Sequence, residues 1–189
     1  MIPYQMHKVD FRRVFVLAGL GILILSYAIL WLRMITTPSE FTGTDFVAFY
    51  AAARIAKYEG AGHVYDVVLQ QKYEEALIGA AIPWETVRIY LNPPFVVPLA
   101  QLVAQENFVL SLILWNGLML AFLVGGTLFL IPLLRSGFSG KEWPILLAGI
   151  LLLFPAYKSL VVGQNSAMLY FGACAWMAGV LLKKNWLGG

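Results

Sequence analysis

Four short stretches of this chain carry side chains that can do chemistry. The first is Gly43-Thr44-Asp45-Phe46, which opens the run Asp45 to Lys57. Gly43 breaks the chain, Thr44 fits an N-cap, and Asp45 then falls in the first turn of a helix. The helix dipole favours an ionised carboxylate there, by about 0.3–1 kcal/mol when exposed. Ionised, Asp45 can take a proton from an attacking hydroxyl or hold a metal. The same placement also fits a residue that only helps Thr44 cap the helix, and spacing does not separate the two readings. The second stretch is Tyr65-Asp66, where Asp66 is either a helix N-cap or a substrate contact. The third is the rigid pair Pro93-Pro94, which starts a helix without needing N–H donors and can act as a wall over a cavity. The fourth is Gly163-Gln164-Asn165-Ser166. It opens an apolar run with side chains able to bond a polyol or phosphate, and it reads equally as a turn between two spans. Lys158 lies close by in an apolar neighbourhood, where a cation either pairs with an anion or snorkels to an interface.

Apolar elements must position these residues. Of 189 residues, 60% are hydrophobic and 12% charged, and the mean hydropathy is +0.77. A soluble domain is nearer half apolar and a quarter charged, so an all-α integral membrane protein is expected, a multi-pass helical bundle. The net charge of +3 is scattered with no dense basic run, which argues against nucleic acid as a partner. The single cysteine, Cys174, forms no intrachain disulfide and reads as a small buried hydrophobe. His63 has no ligand-spaced partner, and the sequence gives no warrant for a metal. There is no P-loop, dinucleotide fingerprint, H-E-x-x-H or G-x-S-x-G, and nucleotide chemistry is not expected.

In chain order, residues 1–13 form a basic tail expected in the cytoplasm. Residues 14–32 are uncharged and long enough to cross a core of about 30 Å. Residues 33–92 form a polar extracytoplasmic loop with two juxtamembrane helices, about 45–58 and 66–78. In the first, Phe46, Phe49, Tyr50, Ala53 and Ala56 share one face and Arg54 and Lys57 lie off it, a pattern suited to a bilayer interface. In the second, Leu69, Tyr73 and Leu77 point inward and Lys72, Glu74 and Glu75 outward. Residues 83–90 read as an extended return. Residues 93–105 make a short second span or a re-entrant helix, and spans follow at 108–134, 143–158 and 164–182. The close at Lys183-Lys184-Asn185-Trp186-Leu187-Gly188-Gly189 reads as the start of a further element, so a longer protein is expected.

Taken together, the residues resemble the N-terminal half of glycosyltransferase family 87. These are membrane enzymes of the GT-C type that include bacterial polyprenyl-phosphate-mannose-dependent mannosyltransferases. Three ordered features carry the resemblance: Gly43-Thr44-Asp45-Phe46 through Tyr50 with Tyr65-Asp66; Leu91-Asn92-Pro93-Pro94-Phe95 with Pro98-Leu99-Ala100; and Gly163-Gln164-Asn165. The likeness covers nearly the whole chain from Val14. Asn92 departs from it, since an aromatic often precedes the proline pair, and family members are about twice this long. The resemblance implies a polyprenyl-phosphate sugar as donor, a hydroxyl of a glycan or glycolipid as acceptor, and inversion at the anomeric carbon. Asp45 maps to the general base, and Asp66, Pro94, Gln164 and Asn165 to the donor cavity. The rival readings are a non-catalytic membrane module that binds a polyprenyl lipid or partner helices, and part of a transporter.

Overall fold

The computed structural model describes residues 11–36, 45–134, 149 and 153–182. Among them every regular element is helical and there is no strand. Gly43, Thr44, Arg135, Lys141, Lys183 and Lys184 fall outside the described residues, as does most of the predicted span 143–158. The chain divides into two compact units, Met1–Thr37 and Pro38–Gly189.

The first unit contributes helix α1 (Phe11–Thr36). Its only charges are Arg12 and Arg13 near the start and Arg33 in the last turn, where a cation complements the dipole. The second unit holds α2 (Phe46–Tyr58), α3 (Val67–Ile78), α4 (Val97–Val103), α5 (Phe108–Leu134), α6 (Phe154–Val162) and α7 (Ser166–Leu181). Short 3-10 turns lie at Ala61–His63, Trp84–Thr86 and Pro94–Val96.

The second unit is built around α2. Its sequence predicts one apolar face and one wet face, but Phe46 through Ala53 and Ile55 are all buried. The reason lies in the residues between the aromatics. Ala48, Ala51, Ala52 and Ala53 are small enough for α3 and α4 to close over them while α5 takes the aromatic side. The Phe49 and Trp115 rings lie 4.9 Å apart, Phe46 and Phe108 5.5 Å, and Tyr50 meets Phe108 edge-on at 5.3 Å. Truncating one such buried ring costs about 3–5 kcal/mol. At the far end of α2, Glu106 gathers Arg54 at 2.6 Å, the Tyr58 hydroxyl at 2.8 Å and Lys57 at 3.9 Å. The Tyr50 hydroxyl donates to the Gln105 carbonyl at 3.0 Å.

The Asp66 side chain caps α3, accepting from the Val68 and Leu69 amides. The facing of α3 departs from its apolar pattern. Gln70 and Glu74 are its buried residues, while Leu69, Tyr73 and Leu77 are half-buried. Glu74, expected outward, faces in because the return segment needs acceptors for its backbone, as described below.

After the return segment, Pro93 is extended and the turn Pro94–Val96 leads into α4. The apolar helical stretch Pro94–Val103 rises about 1.5 Å per residue, so it reaches about half-way through a core of about 30 Å. Helix α5 is the described helix long and apolar enough to cross a membrane, over Phe108–Pro132. It packs along α7 at a small-residue seam. A Cβ on Gly126 would come within 2.8 Å of the Tyr170 ring and 3.1 Å of the Phe171 Cα, so the two backbones meet only because the position is glycine. Cys174 is buried in α7.

Candidate functional site

Asp45 occupies the N-cap position of α2 with helical backbone angles, and its side chain makes no capping bond. Its Oδ2 accepts a hydrogen bond from Gln164 Nε2 at 2.8 Å. Gln164 Oε1 in turn accepts from the Ser166 hydroxyl at 3.3 Å. This two-step chain fixes which end of the Gln164 amide faces the carboxylate. Among the described residues no hydrogen bond reaches Asp45 Oδ1.

Two residues 119 positions apart meet here because of Gly163. Gly163 closes α6 in the left-handed region, at φ +73°, which favours glycine. A Cβ on it would overlap the Phe46 side chain and stand 3.2 Å from the Phe46 Cα. The Gly163 carbonyl also accepts from Trp115 Nε1 at 2.9 Å. One glycine thus presses the turn against the first residue of α2 while α5 holds it from behind, and Gln164 emerges beside Asp45.

The third wall is the return segment, which has no strand partner. The amides of Arg88 and Tyr90 in it, and of Ile82 just before it, are satisfied by α3 side chains instead. Ile82 N–H donates to Glu75 Oε1 at 3.1 Å, and Arg88 N–H to both Glu74 oxygens at 2.9 and 3.1 Å. Tyr90 N–H donates to Gln70 Oε1 at 2.7 Å, while Gln70 Nε2 bonds the Val64 carbonyl at 2.7 Å. A buried backbone amide left unpaired costs about 1–3 kcal/mol, which is why these polar side chains turn inward. Burial pushes the Glu74 carboxyl above the ordinary range, against the opposing pull of the Arg88 amide. Burial likewise pushes the Tyr90 hydroxyl up to about 12. The Tyr65 and Tyr90 hydroxyls donate to the carbonyls of Asn92 and Pro93 at 2.8 and 3.0 Å, pinning the chain where it enters the proline pair.

These walls enclose an open cavity of about 480 Å³. The start of α2 lines it with Asp45, Ala48 and Phe49. The return segment adds Val87, Arg88, Ile89, Leu91 and Asn92, and the turn into α7 adds Gln164, Asn165 and Ser166. Asn165 Nδ2 donates to Asn92 Oδ1 at 3.2 Å, joining two walls.

Of the residues singled out from the sequence, Asp45, Gln164 and Asn165 come together at this cavity. Asp66, Pro94 and Lys158 do not line it. The Asp66 carboxylate is engaged as the α3 cap, Pro94 stands exposed two residues beyond Asn92, and Lys158 is exposed on α6. Arg88 is the charged residue of the described lining that the sequence did not single out. Its only signal was a lone cation in an apolar, extended segment. Among the described residues no group of three His, Cys, Asp or Glu side chains gathers as for a metal.

No protein-family model, curated protein or solved structure matches this chain.

Proposed function

We propose that this chain is the N-terminal part of a multi-pass membrane glycosyltransferase of the GT-C type. In this reading it moves a hexose, mannose by the resemblance, from a polyprenyl-phosphate donor to a hydroxyl acceptor on the outer face of the plasma membrane. The observation that carries the reading is Asp45, the one acid among the described residues of the cavity lining, with one oxygen held at 2.8 Å by Gln164 and no described hydrogen bond on the other. A general base needs this: a carboxylate fixed in direction but not neutralised by a cation.

The chemistry balances with these groups. The acceptor oxygen forms a bond to the anomeric carbon from the face opposite the phosphate. The bond between that carbon and the phosphate oxygen breaks, and the electron pair leaves with the polyprenyl phosphate. The hydroxyl proton passes to Asp45 as the new bond forms. The Gln164 amide keeps the carboxylate aimed at the acceptor, and the Asn92–Asn165 pair offers amide groups to sugar hydroxyls.

The resemblance in the Asp45, Pro93-Pro94 and Gln164-Asn165 motifs supplies the donor class. The composition supports the membrane setting. In the full-length protein, Asp45→Asn should lower transfer from a polyprenyl-phosphate-linked sugar by about 10²–10⁴-fold while expression and melting temperature stay unchanged. Normal turnover in that variant sinks the reading and leaves a lipid-binding module as the better account.

A further inference from the structure

Among the described residues Arg88 is the one cation in the cavity lining, and it forms no ion pair with a described carboxylate. Glu74, the acid that acts on it electrostatically, spends both oxygens on the backbone N–H of Arg88 itself. The backbone is therefore anchored while the exposed guanidinium stays available. It sits on the return-segment wall, whereas Asp45 sits on the α2 wall, so the described lining carries one charge of each sign on different elements. Beside Arg88 the lining turns apolar. Leu91 is 81% exposed, and beyond the proline pair Phe95 is 63% exposed. A cation followed by uncovered apolar side chains matches an anionic head on a hydrocarbon chain.

Resting on the transferase reading, we propose that Arg88 binds the phosphoryl group of the lipid donor, and that its prenyl chain leaves the cavity over Leu91 and Phe95. A guanidinium presents paired N–H donors that match two phosphate oxygens. Placed there, the phosphate leaves Asp45 free for the acceptor hydroxyl. Arg88 also offsets the charge that builds on the phosphate as the sugar departs.

The test is equilibrium binding to the full-length protein in lipid nanodiscs, with geranylgeranyl phosphate, geranylgeraniol and inorganic phosphate as probes. Geranylgeranyl phosphate should bind at least about tenfold tighter than either of the others, since both head and chain are recognised. Arg88→Ala should weaken it by about 10- to 100-fold, the worth of a charge-assisted contact, with Arg88→Lys recovering part of the loss. Equal binding by wild type and Arg88→Ala, at equal melting temperatures, overturns the proposal. So does binding of inorganic phosphate as tight as that of the lipid phosphate, because then the chain adds nothing. Loss of lipid-phosphate binding in Arg88→Ala, in a protein that transfers no sugar, retains the anion site and removes only the transferase reading.

Discussion

The two ends of α2 each hold a carboxylate, and they use it differently. At the C-terminal end Glu106 has an Arg54 guanidinium at 2.6 Å, a Tyr58 hydroxyl at 2.8 Å and a lysine at 3.9 Å. The bond from Arg54, then that from Tyr58, holds its carboxyl below the ordinary range. At the N-terminal end, among the described residues, Asp45 has one neutral amide on one oxygen. A carboxylate surrounded by donors is a good fastener and a poor base, because its lone pairs are occupied and its proton affinity is lowered. Aimed by one amide among the described residues, the Asp45 carboxylate keeps lone pairs for a substrate hydroxyl. Number and charge of partners, rather than position on the helix, separate the structural acid from the candidate catalytic one.

The comparison breaks most completely at Gly163, which brings the Asp45 end together. Gly163→Ala should cost about 2–5 kcal/mol, from left-handed strain plus overlap with Phe46. Thermal melting in detergent checks the stability loss. The pairing of Gln164 with Asp45 should go with it, while the Arg54–Glu106 end stays intact. Trp115→Phe removes the donor behind the buried Gly163 carbonyl. It should cost about 1–3 kcal/mol, read in the same melts, and should lower transfer more than substitutions near Glu106 do.

A smaller effect sharpens the contrast through pH. Glu106 has a folded-state pKa below its unfolded value, so its contribution is present above about 4.5 and is lost as pH falls through the folded value. Glu74 has the opposite sign. Its folded-state pKa is raised by burial, so stability is lost as pH rises above about 4.5. Melting temperatures between pH 3 and 6 should therefore show Glu106→Gln flattening the acid limb and Glu74→Gln flattening the alkaline one. Identical profiles for the two variants would contradict the assignment.

Much of this was legible in the sequence, where local rules govern. The all-helical character follows from long apolar runs. Asp66 caps α3 as an Asp before a helical pattern does, and Asp45, Gln164 and Asn165 could be picked out as polar groups beside apolar runs. What was not legible depends on partners far along the chain. The inward turn of Gln70 and Glu74 is dictated by the amides of Tyr90 and Arg88, which no helical periodicity encodes. The apolar spacing of Leu69, Tyr73 and Leu77, which are half-buried, therefore left Glu74 on the outward side. The burial of α2 on all sides depends on neighbours closing over alanines, and alanine carries no directional signal. Gly163 read as a turn, but its contact with Phe46 is a tertiary fact.

The most direct test sets the two carboxylates side by side. Sugar transfer from a polyprenyl-phosphate donor would be measured in the full-length protein carrying either Asp45→Asn or Glu106→Gln. Loss of a general base predicts a fall of about 10²–10⁴-fold in the first. The second should stay within about threefold of wild type, as a surface substitution does. Transfer at the wild-type rate in Asp45→Asn, or an equal loss in both, would contradict the account.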